Sequence, residues 1–144
     1  HYVGNRDQLI IKLTDNLIDR FRNSTAEMIE SLGNHDRVGA LITALMSGQM
    51  DQSANSVMIF EHLVMVSSKM DTVREQIAGW TTEFLNVIEQ ELVRAFPGAK
   101  GHSEVAYGIV SIYYNSVSLA PLRLPDARKP EKAARRLLLS LEQH

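Results

Sequence analysis

The stretch Ile109-Val110-Ser111-Ile112-Tyr113-Tyr114-Asn115-Ser116-Val117 decides how the chain is read. Its β-branched and aromatic residues favour a strand by composition. Its spacing says otherwise. Val105, Ile109, Ile112/Tyr113 and Ser116/Val117 recur at the 3.6-residue period of a helix. No other segment offers a strand for it to pair with. Read as a helix, it makes the chain all-α.

The remaining segments agree. Leu9, Leu13 and Leu17 recur every four residues, and Ile10, Phe21 and Met28 widen that stripe. Asn5, with Gln8 three residues on, resembles a capping box, and Asp7 suits a helix N-terminus. A first helix is expected from about Arg6 into the Ser24–Leu32 region, with a break near Asn23. Gly33-Asn34-His35-Asp36 signals a turn. Val38, Leu41, Ile42, Leu45 and Met46 mark a second helix that Ser47-Gly48 ends. Asp51 or Ser53 can cap a third helix, with Val57, Phe60, Leu63 and Val64 on one face. Met58, Ile59, Met65 and Val66 make its other faces apolar too, the mark of burial on more than one side.

Asp71 or Thr72 begins a long fourth helix, striped by Ile77, Trp80, Phe84, Leu85, Ile88, Leu92 and Phe96, and Pro97-Gly98 stops it. Ser103 can cap the fifth. Pro121, Pro125 and Pro130 bracket a loop, and Pro130 suits the first turn of a sixth helix carrying Ala133, Ala134, Leu137, Leu138 and Leu141. The expected fold is a bundle of about six helices in one domain of 144 residues.

Composition narrows the function. The chain has no Cys, which excludes disulfides and thiolate metal sites. No stretch is apolar enough for a membrane span, and no signal peptide is visible, so a cytoplasmic protein is expected. Asn23-Ser24-Thr25 is read as a chance sequon. The net charge of −2 does not suit a free-standing DNA-binding domain. Arg123 to Arg136 holds six basic and two acidic residues without interleaved aromatics, and reads as a solvated face.

Catalytic motifs are absent: no glycine-rich phosphate loop and no nucleophile elbow occurs. No His pairs with another at i+4. The residues three before His35, His62, His102 and His144 are Leu32, Ile59, Ala99 and Leu141, so no Glu-x-x-His di-iron motif exists. No catalytic residue, metal or cofactor is assigned, and the chain is not expected to be an enzyme.

Binding is more legible. Met58, Phe60, Met65, Trp80, Phe84, Tyr107 and Tyr114 sit on successive central helices. They form either an ordinary core or a cavity lined by adaptable Met and flat aromatics. His62 is either a core histidine or a polar contact in such a pocket, and Glu61 beside it is read as solvated. The candidate ligand-binding set is His62, Met65, Trp80, Phe84, Tyr107, Tyr114 and Asn115. Gly108, Ser111, Asn115 and Ser118 form a small-residue line on the fifth helix, facing either another helix of the chain or a second copy. With Ala134, Leu137, Leu138 and Leu141 they are the candidate dimer interface, an isologous contact.

Tyr2-Val3-Gly4-Asn5-Arg6-Asp7-Gln8-Leu9 resembles a junction in TetR-family transcriptional regulators. There, a helix-turn-helix ends in an aromatic-rich segment. A short turn follows, then Lys or Arg, an acidic residue, any residue, and Leu. Tyr2, Val3, Arg6, Asp7 and Leu9 fall on that pattern, with Asn5 at the capping position. The resemblance covers the whole chain in layout and residues 2–9 in motif. It implies that 1–4 end a helix-turn-helix whose greater part precedes this sequence. It implies that 5–144 are a ligand-binding and dimerisation domain resembling the family's C-terminal domain, which would account for the charge. It further implies a homodimer on operator DNA, Tyr2 and Arg6 at DNA phosphates, and a repressor released by a small-molecule inducer through the helix that begins near Arg6. The alternatives are a helical small-molecule binder or interaction module without DNA, and an enzyme at an unrecognised site.

Overall fold

The computed structural model describes residues 2–47 and 54–142 of the chain. Among them it is all-helical, with no strand. Six α-helices follow in order: α1 Tyr2–Ser31, α2 Arg37–Met46, α3 Ala54–Val66, α4 Asp71–Ala95, α5 His102–Leu119 and α6 Lys129–Glu142, with a 3₁₀ turn at Ala120–Leu122 before α6. The stretch 109–117 lies inside α5, where Val105, Ala106, Ile109, Val110 and Tyr113 are buried at helical spacing. Gly48, Asp51 and Ser53, expected to end α2 and cap α3, lie outside the described residues.

Long α4 is the spine. Val73, Ile77, Trp80, Phe84, Ile88 and Leu92 form its buried stripe, and α1, α2, α3 and α5 all pack on it. α6 covers α5 and α2 with Ala134, Leu138 and Leu141. Two glycines make the turns possible: Gly33 and Gly101 adopt φ 70° and 93°, where a side chain is strained. Arg37, at the start of α2, locks three elements together. Its Nε and Nη2 donate to both oxygens of buried Glu91 on α4 at 2.8 and 3.0 Å, while Nη1 donates to the Gly33 carbonyl. Among the described residues, no helix is long and apolar enough to cross a membrane.

Three expectations are corrected. First, α1 is one helix of 30 residues. It runs through Gly4-Asn5 without a turn and through Asn23 without a break. A Gly or Asn inside a helix costs about 1 kcal/mol or less, which the packing of the rest exceeds. The supposed sequon is therefore helical, with Thr25 buried and its hydroxyl donating to the Phe21 carbonyl at 2.8 Å.

Second, the expected inward stripe of α1 holds at buried Leu17 and Met28 and at half-buried Ile10 and Phe21, but not at its N-terminal members. Leu9 is 68% exposed and Leu13 is also exposed, while Thr14 and Thr25 are buried. Thr14 donates to the Ile10 carbonyl at 2.8 Å, just as Thr25 does to Phe21. A hydroxyl bonded back to its own helix can be buried without an unmet hydrogen bond. Third, α5 begins at His102 after Gly101, so Ser103 lies within the helix and is not its cap.

Candidate ligand cavity

The side chains that meet between α1, α3, α4 and α5 leave a cavity of about 300 Å³, open on one side. That is the small end of the size range for sites that hold organic ligands. From α3 come Val57, Phe60, Glu61, Val64 and Met65. The positions 57, 61 and 65 form one row of the helix, and 60 and 64 the next. From α4 come Trp80 and Phe84, one turn apart; α1 contributes Phe21. From α5 come Tyr113, Tyr114, Val117 and Ser118, two pairs at i and i+4.

The aromatic rings order one another. Trp80 and Phe84 stack with centroids 5.6 Å apart, and Phe60 and Tyr114 stack at 5.7 Å across the gap between α3 and α5. Phe21 meets Phe60 edge-on at 5.8 Å. Such pairs add to the burial of their own area and fix ring orientation. Burial pushes the Tyr114 phenol up to about 12, with a hydrogen bond from the Trp80 indole pulling weakly the other way.

Polar groups are few. The Ser118 hydroxyl donates to Glu61 Oε1, a bond that ties α5 to α3. Beside the cavity, Arg22 of α1 donates from Nε and Nη2 to both carboxylate oxygens of Glu83 on α4, each at 2.9 Å. The Arg22 guanidinium holds the Glu83 carboxyl below its usual range. Its carbon also lies 6.0 Å from the Trp80 ring centroid. This fork fixes α1 against α4 at the level of Phe21.

Of the expected ligand-binding residues, Met65, Trp80, Phe84 and Tyr114 line the cavity. His62, Tyr107 and Asn115 do not. Each is exposed, and Tyr107 is 65% so. They are one or more positions off the inward rows of their helices, about 100° per residue. Glu61, read as solvated, is exposed and also borders the cavity. The signal was in its spacing, four residues from both Val57 and Met65. Phe21, Tyr113, Val117 and Ser118 were missed because their convergence depends on how four helices pack.

The expected dimer interface divides. Ala134, Leu138 and Leu141 are buried in the chain's own core, because α6 needs its single apolar stripe to seat on α5 and α2. Gly108 serves the same packing: a Cβ there would stand 2.7 Å from Leu137 Cδ1. Leu137 is itself half-buried against the core. Ser118 belongs to the cavity rim. Ser111 and Asn115 remain exposed on α5. Arg6 is exposed on α1; the side chain of Tyr2 lies outside what the structure describes.

α3 is also not buried on several sides. Met58, Val64 and Met65 are exposed, Met65 by 71%, and α3 packs chiefly on α4 and α1. Among the described residues, no group of three or more acidic or histidine side chains is placed to hold a metal ion. No protein-family model, no curated protein and no solved structure matches the chain.

Proposed function

We propose that the chain is the ligand-binding and dimerisation domain of a TetR-like, cytoplasmic transcriptional regulator. In this reading it is a repressor released from operator DNA when a small molecule enters the cavity. One observation carries the proposal. Phe21, a wall of the cavity, stands on the same unbroken helix that ends at Tyr2. Nineteen residues separate them, a rod of roughly 28 Å at 1.5 Å per residue. A tilt of a few degrees at Phe21 moves the far end by roughly 2–3 Å over that length.

The reading places the DNA reader at the N-terminal end of α1. A dimer must hold two readers one helical turn of DNA apart, about 34 Å, so a shift of that size at each end weakens the fit. The helix carries motion as a lever along its whole length, without a hinge at Gly4-Asn5. Exposed Leu9 and Leu13 supply an apolar face for a neighbouring domain to rest on. Dimerisation is assigned to the exposed face of α5, with Tyr107, Ser111 and Asn115, in place of the α6 stripe. The ligand acts only through a difference in affinity for the two arrangements.

The absence of Cys allows a clean test. A spin label on Asn5→Cys, an exposed position, reports the distance between the two α1 ends of a dimer. The expected result is one distance that shifts when an apolar fragment shown to bind the cavity is saturating. A monomer at micromolar concentration, or a dimer whose distance is unchanged with the cavity filled, would refute the reading.

A further inference from the structure

We propose that the cavity selects an organic amine in its cationic form, an aromatic or aliphatic skeleton whose charged nitrogen is received by Glu61. The inference rests on reading the cavity as a ligand site, and names the chemistry of its occupant. Glu61 is the one charged residue among those lining it. The remaining side-chain polar groups are the hydroxyls of Tyr113, Tyr114 and Ser118 and the Trp80 indole N–H, which is engaged by Tyr114.

Every other wall is hydrocarbon, thioether or ring. Phe21, Phe60, Trp80, Phe84, Tyr113 and Tyr114 give six aromatic side chains around about 300 Å³. Such rings are negative on their faces and attract a cation that has lost part of its water. An N–H donor beside them finds its charge-assisted partner in a carboxylate. Glu61 engages Ser118 through Oε1, and a carboxylate has lone pairs for several donors, so Oε2 is left to accept from a ligand.

The charge of Arg22, beside the cavity, is already committed. Arg22 is bound by Glu83 and by Asp19, the latter at 3.1 Å, and does not line the cavity. An anionic ligand would meet Glu61 with nothing in the lining to offset the repulsion. A neutral ligand of the same shape would bury the same area and gain no charge contact. The expected discrimination is about tenfold between cation and neutral isostere, the range of one charge-assisted bond at a partly exposed site.

Three probes of one skeleton test this: biphenylmethylamine, biphenylmethanol and biphenylcarboxylate. Their dissociation constants are measured by calorimetry on the protein at neutral pH, with emission of Trp80, the chain's sole Trp, as a second readout. The amine should bind about tenfold more tightly than the alcohol, and the carboxylate weakest of all. Glu61→Gln should remove the preference for the amine, so that amine and alcohol bind the variant with similar constants. Ser118→Ala, which deletes the carboxylate's present partner, should keep the preference. If the alcohol or the carboxylate binds as tightly as the amine, or if Glu61→Gln retains the preference, the inference fails while the cavity reading stands. If none of the three binds and Trp80 emission does not move, the cavity reading fails and the inference with it.

Discussion

Phe84→Ala tests whether the aromatic cluster is both packed core and cavity wall. Phe84 is 1% exposed. Its ring centroid lies 5.6 Å from that of Trp80, 5.8 Å from Tyr113 and 6.3 Å from Tyr114. Truncation to Ala opens a void of roughly 100 Å³, which at about 24 cal/mol per Å³ contributes about 2.4 kcal/mol. The lost transfer energy of the ring adds about 1.5–3 kcal/mol. Part of the ring already faces the existing cavity, so fewer contacts are lost than in a sealed core, and the expected cost is about 3 kcal/mol. With about 2.1 cal/mol/K of unfolding entropy per residue over 144 residues, that lowers Tm by roughly 10 °C. Urea unfolding and thermal denaturation followed by circular dichroism measure both quantities. Emission from Trp80 gains exposure as its stacked neighbour is lost, so it should shift to the red. A loss below about 1 kcal/mol with unchanged emission would show that these rings do not form a packed wall.

Two further measurements probe the same frame. Tyr114 ionises at about 12 in the fold and near 10 when unfolded. Its raised value contributes stability below pH 10 that is lost as pH rises from about 10 through about 12, and the loss amounts to about 2–3 kcal/mol. Tyr114→Phe should flatten that alkaline limb, and an identical pH profile in the variant would refute the burial of the phenol. Gly79, on the exposed side of α4, would place a Cβ in open space. Gly79→Ala should therefore stabilise by about 0.5–1 kcal/mol through helix propensity. A fall in Tm would mean that this face of α4 is occupied.

The sequence alone determined the helices. Period 3.6 is a local property, and it outweighed the strand-like composition of 109–117 because a helix needs no partner segment to satisfy its backbone. The turns at Gly33 and Gly101 were equally local. The limits of each helix were less legible. Gly4-Asn5 and Asn23 carry turn-like signals worth about 1 kcal/mol or less each, and α1 runs through both; at Asn23 the packing of Phe21 and Arg22 on α4 outweighs the signal.

What only the tertiary structure decided is which side of each helix meets which. Thr14 and Thr25 replaced Leu9 and Leu13 on the inner face of α1 because back-bonded hydroxyls remove the penalty that sequence reading assigns to them. Met65, Trp80, Phe84 and Tyr114 could be picked out by residue type, and they converge on the cavity. His62, Tyr107 and Asn115 share that chemistry but not that direction. Glu61 and Ser118 are 57 residues apart in sequence, and only the packing of α3 beside α5 brings them into one hydrogen bond. Periodicity is fixed within one turn of chain; a site is fixed by the relative rotation of four helices, which depends on all their side chains together.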